Sequence, residues 1–419
     1  MTTAAPPRVP PIFSFPFLLD PWPTLTWLRA NDPLHHVPGA GLIVLTRAAD
    51  CAAALADPGL SADGGQAERS EASGAPVSML NTDGAQHVRL RKPGGVLLGP
   101  GAVARALPRI GADIDAALDA LAPARARPGE PSGGTGSPGA SADLIRDVSE
   151  PVATLALAGL LAIDPDAVAE FDHHARSVAI ALDPVPSPAV AARAQEAMAA
   201  FHVFAAGLID RAAPDSPLGR LVRSGGIDHG EALGVVSLAV VGGWRPLADL
   251  VAVALHGVLT DDELRGAAAD PDWLVGWCED VTRWHTPIPF VARKADRAVS
   301  LPSGVIPAGS QVLVHCGAAN HDPAAHGAPE SVVAARSEGH LAYGAGSHLC
   351  LGAPLVRATL PLVVASLLRR YPDARLGAPR LTWRPQAFPR SPMSSTVHLH
   401  GPAATLPAAA SDHPRERAS

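Results

Sequence analysis

Apolar residues recur along most of this chain with helical spacing. Alanine- and leucine-rich segments at 104–121, 143–162, 187–212, 231–258, 272–285 and 353–370 carry the period of helices that bury one face. Stretches with strand character are few and short: Gly41 to Thr46, Gln311 to His315 and Thr396 to Leu399. The pattern predicts a mostly α protein with small β sheets. No linker divides the periodicity into self-sufficient halves, so residues 1–419 are expected to form a single large domain. Residues 122–141, APARARPGEPSGGTGSPGAS, break the pattern. They hold too little apolar surface to order themselves and read as a flexible surface loop. The segment 403–419 is expected to be a loose tail.

Composition removes several function classes. A hydrophobic content of 47% is ample for a sizeable core, and a net charge of −7 argues against a nucleic-acid binder. Cys51, Cys278, Cys316 and Cys350 show no paired spacing, which predicts a reducing compartment with neither a disulfide framework nor a zinc site. The opening stretch MTTAAPPRVPPIFSFPFLLD has one short apolar run broken by prolines. It predicts neither a signal peptide nor a membrane span, and the expectation is a cytoplasmic protein.

The most informative chemistry lies at Tyr343 to Gly352, YGAGSHLCLG. A lone cysteine, Cys350, sits in a glycine-bracketed loop that runs into a helix start at Gly352-Ala353-Pro354. A thiolate there would face the positive end of a helix dipole and nearby main-chain N–H groups, which suits a metal ligand. Gly344 and Gly346 leave room for a flat ligand close to the backbone. This loop resembles the haem-binding loop of the cytochrome P-450 superfamily, F-x-x-G-x-x-x-C-x-G, with Tyr343 in the aromatic position and Gly352 as the last glycine.

The resemblance extends over nearly the whole chain beyond the first few dozen residues. It implies the cytochrome P-450 fold, haem b as cofactor and Cys350 as the axial iron ligand. HVRLR at 87–91 is similar to the family segment whose histidine and arginine meet the haem propionates, here His87 and Arg91. CEDVTRWHTPIPFVARKA at 278–295 resembles the E-x-x-R helix followed by a strand bearing a further propionate arginine, Arg293. His348 is the remaining propionate partner that the resemblance implies, and Arg336 in VVAAR the meander arginine. The family's glutamate is replaced by Asp280, three residues before Arg283, so that this core pair must close up or be bridged by water.

The segment EALGVVSLAVVGGWRPLADLVAVALHGV at 231–258 resembles the distal helix, which crosses the open face of the haem. The family usually places an acid and an alcohol near its middle, where they order water and deliver protons. Here that place holds Gly243, Trp244, Arg245 and Pro246, in either register without a carboxylate or hydroxyl. Arginine cannot act as a general acid, although it can hold water, stabilise a developing anion or pair with a substrate carboxylate. Pro246 removes a backbone N–H and is expected to kink the helix. A second reading has Arg245 turning away from the haem cavity to bind a propionate or the surface, and Trp244 serving as core packing.

An Arg-Pro pair at this place resembles the peroxygenase branch of the family, whereas the cysteine loop looks like the ferredoxin-dependent bacterial type. Four readings are therefore open. They are oxidative cross-linking or cyclisation of an aromatic or peptide substrate, conventional C–H hydroxylation, peroxide-driven oxidation, and a catalytically silent haem carrier or sensor. The expected partners are a ferredoxin and its reductase, or peroxide in their place, with a small molecule or short peptide as substrate. No nucleic acid and no membrane are expected, and the chain is expected to be a monomer. Arg89, Lys92 and Arg357 are candidate rim contacts for an acidic iron–sulfur protein. Residues 63–79, 176–190, Trp244 to Leu247 and Pro287 to Val291 are candidate pocket lining, with Ile288 and Phe290 expected to project toward the haem.

Overall fold

The computed structural model describes residues 11–62, 78–121, 141–182, 187–334, 339–378, 380–386 and 388–399. Among these, eight helices of eleven residues or more carry the architecture. They are α1 (Gly84–Leu98), α2 (Pro100–Asp119), α3 (Glu150–Leu161), α4 (Val168–Val178), α5 (Pro188–Asp210), α6 (His229–Thr260), α7 (Pro271–His285) and α8 (Ala353–Arg370). Each apolar segment singled out by its periodicity corresponds to one of them. In 143–162 the first turn is wider than α: Leu144–Ser149 forms a π-helical turn, capped by the Asp143 carboxylate on the N–H groups of Ile145 and Arg146. Proline lies in the first turn of α2, α3, α5, α7 and α8, where its missing N–H has no intrahelical partner to lose.

The long helix α6 is the axis of the molecule. It starts at a capping box, in which the Asp228 side chain accepts from the Glu231 N–H and the Glu231 side chain accepts from the Asp228 N–H. It packs against α3, α5, α7 and α8. Val235, Val240, Trp244, Val251, Ala252, Leu255 and Val258 are fully buried on it. By length and composition α6 could cross a membrane, but two-thirds of its most apolar window (67%) is buried inside the protein; it is a core helix. Pro246 lies within it and the helix continues to Thr260; the Gly242 carbonyl is left without its i+4 donor.

Three small sheets lie beside the helices. The largest has the order β1-β2-β8-β5-β3, with β1 (Leu34–Val37), β2 (Leu42–Leu45), β3 (Leu60–Ser61), β5 (Val291–Ala295) and β8 (Gln311–Val314). Its β2–β8 pair is parallel and the others are antiparallel. A second sheet joins β4 (Ser141–Asp143), β10 (Thr396–His398) and β9 (Arg375–Leu376), and β6 (Val299–Leu301) pairs with β7 (Gly304–Ile306). Ile43, Leu45, Val312 and Val314 point into a separate apolar cluster with Cys51, Leu55 and Cys316. Ser141, the last residue of the expected loop 122–141, is the first residue of β4; the rest of that loop and the segment 403–419 lie outside the described residues.

Candidate active site

Cys350 closes the loop that delivers α8. Its N–H donates to the Tyr343 carbonyl at 2.8 Å, and its sulfur accepts from the N–H groups of Gly352 and Ala353 at the helix start. The side chain has accessible surface, yet the protein around it is dense enough that burial raises the thiol pKa. The two N–H groups and the nearby Arg91 and Arg357 guanidiniums oppose that rise by favouring the thiolate. Two glycines set the loop's course. Gly344 and Gly346 lie at φ +69° and +68°, and a Cβ on Gly346 would stand 2.4 Å from the Leu55 carbonyl oxygen. Gly346 therefore answers two demands at once, left-handed backbone and contact with the helix Ala48–Ala56.

Around this loop the structure gathers the residues expected to meet propionates. His87 is buried and both ring nitrogens face main-chain carbonyls, Nδ1 at 2.8 Å from Met79 and Nε2 at 3.0 Å from Ser347. Its ring lies 4.1 Å from that of His348, centroid to centroid. His348 Nε2 is 2.8 Å from the Asp83 carboxylate; burial lowers its pKa, and Asp83 opposes that shift. Arg91 donates to the Leu349 carbonyl at 2.5 Å, which ties α1 to the cysteine loop. Arg293, on β5, is 4% exposed. Its guanidinium donates to the Ala292 carbonyl, 2.7 Å away, and among the described residues no carboxylate forms an ion pair with it.

A buried guanidinium with no carboxylate in ion-pair contact is costly to keep; Asp83 supports its charge only at longer range, and a carboxylate from a ligand would lower the cost. The residues present therefore fit a haem. Cys350 would offer sulfur to the iron, and Arg293, Arg91 and His348 would be the groups available to its carboxylates.

Behind the cysteine loop, α7 anchors the scaffold. Arg283 is almost wholly buried and its Nε donates to Asp280 Oδ1 at 2.5 Å, with Nη2 at 3.2 Å from Oδ2. Its remaining N–H groups donate to the carbonyls of Asn320, Pro329 and Ser331. The shorter acid thus closes directly on its arginine, and Asp280 Oδ2 also accepts from the Val333 N–H at 2.7 Å. Arg336 lies outside the described residues. Glu279, one residue before Asp280, turns toward α8 instead: it pairs with Arg357 and His340. Burial raises its pKa, but hydrogen bonds from His340 and Arg357 outweigh this and bring it to about 2. The Arg357 guanidinium also lies 4.8 Å above the Tyr343 ring. No spacing rule separates these neighbouring acids.

On α6 the residues Leu238, Val241, Gly242, Arg245 and Pro246 are only partly buried. They recur at i, i+3, i+4, i+7 and i+8, one stripe along the middle of the helix, with Gly243 beside it also partly buried. Gly243 and Trp244 face the other way, onto α3. A Cβ on Gly243 would lie 3.5 Å from the Leu157 side chain, and the fully buried Trp244 donates its indole N–H to Thr154 Oγ1 at 2.9 Å. Trp244 is a packing residue that bridges α6 and α3. Arg245 Nη2 is 2.9 Å from Glu150 Oε1, and its Nη1 is 3.8 Å from Asp249 Oδ1. The guanidinium lies 4.7 Å from the centre of the Trp244 ring, and Arg176 of α4 packs on the same ring at 5.3 Å. Glu150 is shared, since it also pairs with Arg176, which in turn binds Asp172.

Other expected positions fall elsewhere. Phe290, just before β5, is buried, and its ring packs among Phe13, His315 and Phe388, beside a small pocket also lined by Phe17, Trp22 and His285. Ile288, two residues earlier, is partly exposed. A groove of about 380 Å³ between α4 and α5 is lined by His174, Arg176, Ser177, Ile180, Arg193 and Ala197, among others, overlapping the expected lining 176–190; residues 63–77 and 183–186 lie outside the described residues. Of the expected rim cations, Arg89 pairs with Glu231 and Arg357 with Glu279, while Lys92 is exposed.

Comparison with known proteins agrees with this geometry. The family model "Cytochrome P450" matches residues 277–374, from α7 through the cysteine loop and α8. Cytochrome P450 monooxygenase PikC of Streptomyces venezuelae is 31% identical over 410 residues, covering 93% of this chain and 94% of that protein. Cytochrome P450 130 of Mycobacterium tuberculosis is 27% identical over 90% of this chain and 94% of its own length. Among solved structures, CalO2 superposes with a TM-score of 0.79 at 25% identity, over 93% of this chain and 98% of that one. The chain belongs to the cytochrome P450 family: it is a haem-dependent monooxygenase of the bacterial type.

Proposed function

We propose that this enzyme oxidises a specialised metabolite, and that oxidative cross-linking or cyclisation of an aromatic or peptide substrate stands ahead of plain hydroxylation. The observation that carries this reading is the stripe Leu238, Val241, Gly242, Arg245 and Pro246, which bears neither a carboxylate nor a hydroxyl where proton delivery for hydroxylation is usually placed. Bound haem b would supply the oxidising power through a thiolate-ligated iron. The protein's part is to hold that group and to position the substrate. In this reading Cys350 is the axial ligand, Arg293, Arg91 and His348 hold the propionates, with His87 stacked on His348 as support, and Tyr343, Gly344 and Gly352 shape the loop. Gly243 and Trp244 lock α6 to α3, and Arg245 and Pro246 border the distal cavity.

Two relatives support an assignment to specialised metabolism. PksS of Bacillus subtilis is named for a bacillaene polyketide synthase, and TxtC for aliphatic and aromatic thaxtomin hydroxylation. The TxtC name also favours the second reading, hydroxylation. Anchoring of a fatty acid by Arg245 in the peroxygenase manner is disfavoured, because Glu150 already occupies the guanidinium. Electrons are proposed to come from a ferredoxin and its reductase, with the enzyme monomeric and cytoplasmic.

Cys350→Ala should abolish the red-shifted carbonyl band of a thiolate-ligated reduced haem while the protein still folds; an unchanged band would refute the ligand assignment. Product mass then separates the reactions. Loss of two hydrogens marks coupling or desaturation, and gain of one oxygen marks hydroxylation.

A further inference from the structure

The distal helix does carry an acid, one turn beyond Arg245. Asp249 is 1% exposed. Its Oδ2 accepts from the Ser391 hydroxyl at 2.6 Å, and its Oδ1 is a buried atom without a hydrogen bond. Arg245 Nη1 is equally without a hydrogen-bond partner and faces that oxygen at 3.8 Å. Asp249 follows Arg245 by four residues and Pro246 by three, so it continues the partly exposed stripe of α6 inward.

Charge counting shows what this acid must do. Two buried or half-buried arginines, Arg176 and Arg245, are already matched by Glu150 and Asp172. Asp249 is the surplus carboxyl of the cluster. The charged or titratable groups facing it are Arg245 on its own helix, Glu150 at the start of α3, and Arg384 on the C-terminal segment, with Ser391 beside it. Arg384 is exposed and therefore screened. An isolated carboxylate in such a place is unfavourable, and the neutral acid is the favoured form.

We propose that Asp249, held by Ser391, is the proton-holding residue of the distal side, standing one helical turn from the place where the family's acid–alcohol pair is absent, and that Arg245 transmits its charge state to the cavity. Asp249 is a positioning residue in this scheme. Its carboxyl proton leaves from Oδ1 into water at the Arg245 side. The carboxylate left behind keeps the Ser391 hydrogen bond and faces Nη1 of Arg245, a guanidinium it shares with Glu150, until a proton is regained from solvent. The inference rests on the haem-thiolate reading of Cys350 and holds for either product. Burial pushes the Asp249 pKa up to about 7, against the opposing influence of Arg245, Ser391 and Arg384, so the switch falls in a useful pH range.

The test uses the purified holoenzyme with carbon monoxide as the distal probe. In wild type the C–O stretch of the reduced carbonyl complex should shift with pH, with a midpoint within about one unit of 7, and an infrared carboxylic-acid band should disappear over the same range. Asp249→Asn should remove both titrations, and Asp249→Glu should retain them. Ser391→Ala should move the midpoint to higher pH, because the carboxylate loses a donor; it serves as a second test if Asp249→Asn fails to fold. A normal thiolate carbonyl band with titrations that persist in Asp249→Asn, or with none in wild type, overturns the proposal. Absence of the thiolate band in wild type overturns the Cys350 reading instead.

Discussion

Asp280 illustrates how much one methylene matters when the partner is buried. Three residues before Arg283 on the same helix, it reaches the guanidinium with both oxygens and takes the Val333 N–H as well. The pair sits with side chains 0% and 1% exposed, so neither group can turn to water. Removing the acid would leave a buried guanidinium with only carbonyl partners. Asp280→Ala is therefore expected to destabilise the protein by about 3–5 kcal/mol, the range for breaking a buried ion pair from one side. Denaturant titration of the wild type and variant would check this, and a change below about 1 kcal/mol, the scale of exposed pairs, would show that the carbonyls suffice. The same residue scale separates Glu279 from Asp280. Adjacent positions on a helix point about 100° apart, and that rotation sends one acid to Arg357 and the other to Arg283.

The cysteine loop works as an element because its backbone, not its side chains, makes the shape. The Cys350 N–H to Tyr343 carbonyl bond closes the turn, and positive φ at Gly344 and Gly346 makes the turn possible. Gly346→Ala would add left-handed strain and a methyl 2.4 Å from the Leu55 oxygen. The expected outcome is loss of the thiolate-ligated spectrum, with far-ultraviolet circular dichroism preserved, since the eight principal helices do not depend on this turn. Gly352→Ala is the control: φ there is −80° and the nearest atom to an added Cβ is the cysteine sulfur at 3.7 Å, an ordinary contact. That variant should retain most of the haem signal.

For the whole molecule, buried ionisable groups set the acid limit. His285 and His315 are buried, and burial pushes both pKa values down to about 3; Arg390 adds to this for His285, while for His315 a main-chain hydrogen bond opposes it and His321 and Arg29 add smaller contributions. An unfolded histidine titrates near 6.5, so between that pH and about 3 the unfolded chain binds protons that the folded protein excludes. Stability should accordingly fall as pH drops through this window, by up to several kcal/mol for each ring at about 1.4 kcal/mol per pH unit. Glu279, brought to about 2, adds to the loss below its ordinary range. Asp249 acts in the opposite sense, because its raised pKa favours the folded state as pH falls below about 7. The net expectation is a melting temperature that declines from pH 6.5 toward 4 and flattens in a His285→Gln variant; a flat wild-type profile would show that these rings are not held neutral.

What the sequence could determine by itself was local. The ligand loop is ten consecutive residues whose glycines, cysteine and following proline each impose a backbone condition, and the helices announce themselves through a period set by nearest neighbours. Trp244 and Arg245 are equally plain as letters, but their roles depend on α3, which the chain reaches only through folding. Thr154 takes the indole N–H and Glu150 takes the guanidinium. Asp249 is an acid within an apolar stretch of α6, yet nothing local shows that Ser391 would hold it or that Arg245 would stop short of it at 3.8 Å. Likewise Phe290 is only an aromatic letter in the sequence, and its partners Phe13, His315 and Phe388 come from distant segments. Short local motifs carried the resemblance that pointed to the fold family and to Cys350 as the candidate ligand, because such motifs are read from consecutive residues. Tertiary packing decided which charges meet on the distal side, because ion pairs and buried protons depend on distances between segments far apart in the chain.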